Sequence, residues 1–118
     1  MLSETNNEPI RHILLDIWVS DADKLALAEP LRSLFLDAAL AGGARILAER
    51  FEQFEPSGVT GFVLLAESHL SVHTWVEQRH AAIDLLTCGR LDVYPMLRTL
   101  RQGLAPNRER CRSFERGY

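Results

Sequence analysis

The sequence predicts an α+β fold, a two-layer α/β sandwich in which two helices cover one face of a mainly antiparallel sheet. The chain has 118 residues, 47% of them hydrophobic and 25% charged, which suits one small folded domain. About six short runs favour strands, and two stretches have the apolar spacing of helices. We expect a flexible lead-in over residues 1–9 and a single domain over residues 10–118.

The first half of the domain predicts a strand followed by a helix. Residues 10–19 are rich in Ile, Leu, Val and Trp, and the turn-forming residues 20–23 end this run. Pro30 suits the first turn of the next helix, because its missing amide hydrogen has no partner to lose there. Gly42 and Gly43 end that helix. Its buried face has apolar residues at i, i+3, i+4 and i+7, namely Leu31, Leu34, Phe35 and Ala38.

The second half predicts the rest of the sheet and a second helix. Residues 59–66 form an almost uninterrupted apolar run, which indicates a strand covered on both faces. Since two helices cover only one face, a second subunit is the simplest cover for the other. A strand is predicted over 44–54, although its charged residues could equally extend a helix, and residues 70–75 and 81–88 form a predicted hairpin. A second helix begins at an Asp92 cap and ends at about Leu104, and its inner residues are Leu97, Leu100 and Leu104. Residues 107–114 are a predicted edge strand.

The charge and hydropathy patterns exclude several classes of partner. The net charge of −3 gives no reason to expect nucleic acid or an anionic membrane. Arg108, Arg110, Arg112 and Arg116 cluster near the end, but Glu109 and Glu115 interrupt them, which indicates a solvated edge. No apolar run approaches the roughly 18 residues that span a bilayer, and the polar start does not resemble a secretory signal, so we expect a cytoplasmic protein.

The chemically richest stretch surrounds Ser68. Glu67 precedes this serine, His69 and His73 follow it, and Cys88 lies downstream. A serine hydrolase would present its nucleophile on a GxSxG elbow, which residues 66–69 lack. A metal site built from His69, His73, His80 or Cys88 is disfavoured, because four residues of a strand span about 13 Å. We therefore expect no metal.

Two motifs carry a resemblance to a known family. Glu67-Ser68-His69-Leu70-Ser71-Val72-His73-Thr74-Trp75 and Leu86-Thr87-Cys88-Gly89 resemble the self-processing centre of bacterial and archaeal S-adenosylmethionine decarboxylases, and the resemblance extends from about Arg11 to Arg116. It implies cleavage between Glu67 and Ser68 into a β chain (1–67) and an α chain (68–118). Ser68 would become a covalent pyruvoyl group, the cofactor. The implied assembly is a homodimer of cleaved protomers with active sites at the subunit contact.

The resemblance gives roles to the neighbouring residues. The hydroxyl of Ser68 would attack the carbonyl carbon of Glu67, with His73 as acid/base and Thr60 as hydroxyl donor to the tetrahedral oxygen. Strict strand alternation places Ser68 and His73 on opposite faces, so we expect a bulge or turn near His69.

Cys88 is the implied proton donor in the decarboxylation, because a thiol releases a proton more readily than a serine hydroxyl does. The plainer alternative is a small buried apolar residue. A hairpin symmetric about residue 78 would place Ser68 opposite Cys88.

The resemblance also implies contacts to the substrate. The rings of Phe54 and Trp75 would stack on the adenine, and Glu77 would bind the ribose hydroxyls. Core packing for the rings and a solvated turn for Glu77 are the alternatives. This chain departs from the family pattern at Val76, where proline is usual, and at Glu52, where histidine is frequent. A pyruvoyl-dependent ornithine or arginine decarboxylase and an uncleaved regulatory paralogue therefore remain open beside S-adenosylmethionine decarboxylation for spermidine synthesis.

Overall fold

The computed structural model describes residues 9–88 and 91–117. All strand pairs in it are antiparallel, and they form one six-stranded sheet. A short 3-10 helix, Ala22–Leu25, precedes the first α-helix. The elements in chain order are β1 (Ile10–Val19), α1 (Ala28–Ala41), β2 (Ile46–Gln53), β3 (Val59–Leu65), β4 (Ser68–Trp75), β5 (His80–Thr87), α2 (Val93–Leu104) and β6 (Pro106–Arg116). The order across the sheet is β2-β3-β4-β5-β1-β6.

The predicted α+β architecture is confirmed, and both helices end where the local signals placed them. Pro30 lies in the first turn of α1, and the amide of Gly42 donates to the carbonyl of Ala38 at its C-terminal end. Asp92 caps α2 by accepting a hydrogen bond from the amide of Tyr94 at 3.2 Å. The two helices pack on each other, and Gly103 allows the side chain of Leu34 to lie directly against the backbone of α2. Leu34 is only partly buried, whereas the other predicted inward residues of both helices are buried.

In the single chain β3 is covered on one face only, so the expected cover of its other face by a second subunit stays a prediction. Val59, Val63 and Leu65 are buried against the helices, but Phe62 and Leu64 are 43% and 42% exposed. The physical reason is that both helices lie on one side of the sheet, so alternate residues of β3 face outward. An apolar run in the sequence cannot distinguish cover by helices from cover by another subunit.

We call the uncovered side of the sheet the open face. Antiparallel partners point to the same side, so the register assigns each residue to a face. Its members are Ala48, Arg50 and Glu52 of β2, Thr60, Phe62 and Leu64 of β3, His69, Ser71, His73 and Trp75 of β4, His80, Ala82, Asp84 and Leu86 of β5, His12, Leu14, Asp16 and Trp18 of β1, and the arginines of β6 with Phe114.

The predicted edge strand is confirmed as β6, and it is longer than expected. Its side chains are almost all exposed, but its charges are sorted by face. Pairing with β1 places all four arginines on the open face, whereas Glu109 and Glu115 point to the helix side. Glu109 there accepts three hydrogen bonds from Arg101 of α2, at 2.7, 2.8 and 3.2 Å. Charges that are interleaved in the sequence are therefore separated in space.

No helix within residues 9–88 and 91–117 combines the length and apolar character that crossing a membrane requires.

Candidate active site

The Glu67–Ser68 peptide bond lies at the exit of a two-residue turn between β3 and β4. Leu65 pairs with Ser68, which leaves Ala66 and Glu67 as the turn. Ser68 has a φ of 146°, a conformation that residues with a side chain rarely adopt. Such backbone strain is worth about 1–3 kcal/mol and concentrates at functional sites.

The upstream half of this turn is bonded to the segment between α1 and β2. The amide of Ala66 donates to the carbonyl of Arg45 at 2.8 Å. The amide of Arg45 in turn donates to Oε1 of Glu67 at 3.2 Å. Both residues that precede Ser68 are therefore held by one neighbouring residue.

Cys88 lies next to the residue that pairs with Ser68. The β4–β5 hairpin is confirmed, but its register differs by one residue from the prediction, because Ser68 pairs with Thr87. The four-residue turn 76–79 moves the symmetry centre half a residue from position 78. Cys88 is 6% exposed and lines, with Thr87, a small cavity of about 60 Å³.

His73 and Thr60 form a second pair, on the open face. They are direct partners in the β3–β4 register, and Thr60 Oγ1 lies 2.5 Å from His73 Nδ1. The residue expected as acid/base and the residue expected as hydroxyl donor are therefore direct neighbours in the fold.

The two pairs do not meet within one chain. The bulge expected near His69 is absent, since β4 pairs with both neighbours without a register shift from Ser68 to its last residues. Five residues of strand separate Ser68 from His73 by about 16 Å, and the register assigns them to opposite faces. The prediction of a bulge is therefore wrong. The backbone departs from extended conformation at Ser68 itself, and the pairing of β4 stays intact.

Two histidine–aspartate groups on the open face escaped the sequence analysis. Asp84 uses one carboxylate oxygen for His12 Nε2 and the other for His69 Nε2, the latter at 3.1 Å. Asp16 accepts from His80 Nε2 at 2.8 Å. The alternation along β1 and β5 indicates which of these side chains share a face. Only the strand register shows that residues up to 72 positions apart, such as His12 and Asp84, contact each other.

Trp75, one of the predicted substrate residues, belongs to an aromatic row that crosses the sheet. Its ring stacks on His80 at 5.2 Å, and His80 stacks on Trp18 at 4.8 Å. The guanidinium of Arg108 lies 4.0 Å from the centre of the Trp18 ring. Trp18 and Arg108 are the members of this row that were missed.

Glu77 lies in the β4–β5 turn and lines a cavity of about 360 Å³ together with Trp75. Phe54 is half exposed at the end of β2, and its amide donates to the carbonyl of Gly58, which lines the same cavity. The three predicted substrate residues are therefore close in the fold. Val76 packs partly buried against the core, at the first residue of the turn 76–79.

A larger groove of about 710 Å³ lies on the open face. Thr60, His73, Asp84 and Glu52 contribute to its lining. Glu52 is bonded to Arg50 at 2.5 Å, so its extra negative charge already has a counter-ion. Within the described ranges no three side chains converge as metal ligands.

Comparison with known proteins identifies the family. The family model described as S-adenosylmethionine decarboxylase matches residues 11–117. A Geobacillus protein named S-adenosylmethionine decarboxylase proenzyme is 46% identical over 82 residues, which are 70% of this chain and 66% of that relative, just under two thirds of its length. A protein of the same name from Bacillus cytotoxicus is 40% identical over 95 residues, 80% of this chain and 73% of the relative.

The solved structures agree with the sequence relatives. The crystal structure of the adenosylmethionine decarboxylase from Aquifex aeolicus superposes with a TM-score of 0.86 at 36% identity, over 96% of this chain and 94% of that one. The chain belongs to the S-adenosylmethionine decarboxylase family.

Proposed function

We propose that this chain is a self-processing, pyruvoyl-dependent decarboxylase of S-adenosylmethionine, which supplies the aminopropyl donor for spermidine synthesis. The observation that carries the proposal is the strained backbone of Ser68 directly after the turn formed by Ala66 and Glu67, in a chain of this family. Strain before the reaction lowers the difference in free energy between the peptide and its rearranged form.

The first reaction is the break in the main chain. The hydroxyl oxygen of Ser68 attacks the carbonyl carbon of Glu67, and the tetrahedral oxyanion collapses to an ester as the serine nitrogen leaves as an amine. Removal of the Ser68 α-hydrogen then expels the Glu67 carboxylate and leaves a dehydroalanine. Water hydrolyses this to a pyruvoyl group with release of ammonia. The chain ends as residues 1–67 and 68–118.

We infer that the acid/base for this break comes from a second subunit. Ser68 and His73 of one chain lie about 16 Å apart on opposite sides of β4. A two-fold axis that lies in the interface and runs across the strands reverses the strand direction of the other subunit. The Ser68 end of one β4 then approaches His73 of the partner subunit. The φ of 146° takes Ser68 out of the extended alternation, so that the Glu67–Ser68 bond at the strand end is reached from the open face, where the partner's His73 lies. Thr60, which is hydrogen-bonded to His73, accompanies it as the donor to the oxyanion.

The open face supplies the surface for such a dimer. Phe62, Leu64 and Leu14 are exposed there, around the groove. The helices cover one face of the sheet, and the open face carries exposed apolar side chains. Packing a second sheet on the open face removes these side chains from water and stabilises the fold. A homodimer is therefore part of the proposal.

The residues present fit a pyruvoyl group at position 68. The precursor serine is in place, and the buried thiol of Cys88 follows its pairing partner Thr87 along β5. When formed, the group supplies an electron sink for the loss of carbon dioxide. Cys88 holds the proton that the substrate carbon receives, in a site from which water is largely excluded. Trp75 and Phe54 bind the adenine ring, and Glu77 accepts hydrogen bonds from the ribose hydroxyls.

The alternative function, decarboxylation of ornithine or arginine, is not supported by the negative charge of Glu52. Because Arg50 already pairs with this carboxylate, the groove does not require a further cation beside it.

Intact-mass measurement tests the self-cleavage. We expect wild-type protein to separate into residues 1–67 and a pyruvoyl-blocked fragment 68–118, and Ser68→Ala to remain one chain. Ser33→Ala, at an exposed position of α1, is the matched control and should split normally. A wild-type fragment that begins with unmodified serine contradicts the proposal. Carboxyl-labelled S-adenosylmethionine, ornithine and arginine then test the substrate, since only the first should release labelled carbon dioxide.

A further inference from the structure

The strained conformation of Ser68 requires support on both sides of the residue. Residues persist in sparsely populated backbone regions only where the surrounding structure over-determines them. Upstream, the bonds of Ala66 and Glu67 to Arg45 provide that support. The structure offers one side-chain anchor immediately downstream, at His69.

His69 is held by a relay that crosses four strands. Its Nε2 lies 3.1 Å from Oδ2 of Asp84, and the other oxygen of Asp84 is bonded to His12. Nδ1 of His12 lies 3.4 Å from the guanidinium of Arg116. Both oxygens of the carboxylate are therefore engaged by ring nitrogens, and the side chain of Asp84 is held from two strands.

We propose that Asp84, acting through His69, is a positioning residue for cleavage of the Glu67–Ser68 bond. The proposal rests on the self-cleavage proposed above. His69 follows Ser68 directly, so its anchored side chain fixes the downstream side of the strained residue while Arg45 fixes the upstream side. Without this anchor the start of β4 relaxes toward ordinary extended backbone, and the hydroxyl loses its alignment with the Glu67 carbonyl.

The molecule contains a matched pair that serves as the control. Asp16 and His80 make the same kind of contact, at 2.8 Å, on the same open face, and the side chain of Asp16 is 34% exposed, as is that of Asp84. His80 lies at the opposite end of β5 from Thr87, which is the partner of Ser68. A general effect of losing an aspartate–histidine pair from this face would appear in both variants, whereas an effect of positioning would appear only in the Asp84 variant.

The experiment follows the rate of chain splitting by intact mass in freshly prepared, full-length protein. We expect Asp84→Asn and His69→Leu to slow splitting at least tenfold, and Asp16→Asn to split at the wild-type rate. His69→Gln should restore splitting, because the glutamine amide places a donor near the position of Nε2 but cannot act as an acid or base. Hydroxylamine, which cleaves esters and not amides, should release few fragments from Asp84→Asn, because less ester forms.

Splitting of Asp84→Asn at the wild-type rate, or equal slowing of Asp16→Asn, overturns the proposal. Failure of His69→Gln to exceed His69→Leu also overturns it. If Asp84→Asn fails to fold by circular dichroism, the two His69 variants decide alone. A wild-type chain that never splits would refute the proposed function instead, so the two failures are distinguishable.

Discussion

At the scale of single residues, the site is defined by the face on which each side chain lies. Ser68 pairs with Thr87, which directly precedes Cys88, and His73 pairs with Thr60 across the neighbouring hairpin. The sequence presented Ser68, Cys88, His73 and Thr60 as one constellation. Alternation along β4 separates them into two pairs. Because of this separation, we propose that His73 and Thr60 of one subunit act on the Glu67–Ser68 bond of the other.

The role of Cys88 gives a prediction for the catalytic step alone. In Cys88→Ser we expect chain splitting at the wild-type rate, but decarboxylation slower by about 10²–10⁴-fold, the range for a lost general acid. Turnover should also stop early, since a proton delivered to the wrong carbon leaves the cofactor aminated. Cys111→Ser, at the exposed cysteine of β6, is the control and should keep normal turnover. Equal turnover by both variants would show that Cys88 is only a packing residue.

At the scale of elements, β6 shows how an edge strand is attached to the rest of the fold. One edge of β6 pairs with β1, and its helix side is bonded to α2 through Arg101 and Glu109. The hydrogen bond to Glu109 raises the pKa of Arg101 above its ordinary value, with the charge of Glu109 adding to the effect. When the pKa of a basic group is higher in the folded state than in the unfolded state, the group stabilises the fold. This stabilisation is complete at pH values below the pKa of the unfolded state, and it is lost as the pH rises through the pKa of the folded state.

We therefore expect Arg101→Ala to lower the free energy of unfolding by about 0.5–1 kcal/mol, the upper range for an exposed ion pair. The difference from wild type should stay constant between neutral pH and pH 9, because Arg101 remains charged throughout. Chemical denaturation at several pH values measures it. Arg98→Ala is the control, at an exposed position of α2 without an ion pair among the described residues. A loss of equal size in both variants would assign the effect to the helix and not to the ion pair.

At the scale of the whole molecule, the sheet is only half covered. The groove, the aromatic row and both aspartate–histidine groups lie on the open face, which one chain leaves to solvent. The proposed dimer covers this face and completes the reaction centre at the same time. In this proposal, stability and catalysis depend on the same contact.

Mixed dimers test the sharing of residues between subunits. We expect Ser68→Ala and His73→Ala each to remain unsplit as pure proteins. When the two are coexpressed, the His73→Ala chain should split, because it has Ser68 and meets His73 of the partner subunit. Adding Phe62→Asp to both chains places a charge on the open face and should abolish this rescue together with the dimer, as measured by ultracentrifugation. Absence of splitting in a mixed dimer of confirmed mass would refute the shared site.

Local patterns in the sequence predicted both helices, the Gly42 end of the first, the Asp92 cap of the second and the strands, although residues 44–54 could equally have extended a helix. Such patterns are readable because periodicity, capping and turn chemistry are properties of neighbouring residues. Only the tertiary structure decided the one-residue register of the β4–β5 hairpin, the absence of the bulge near His69 and the Asp84 relay between distant strands. It also decided that β3 has an open side. These features depend on which strands pair and where the helices lie, and such long-range contacts leave no local pattern in the chain.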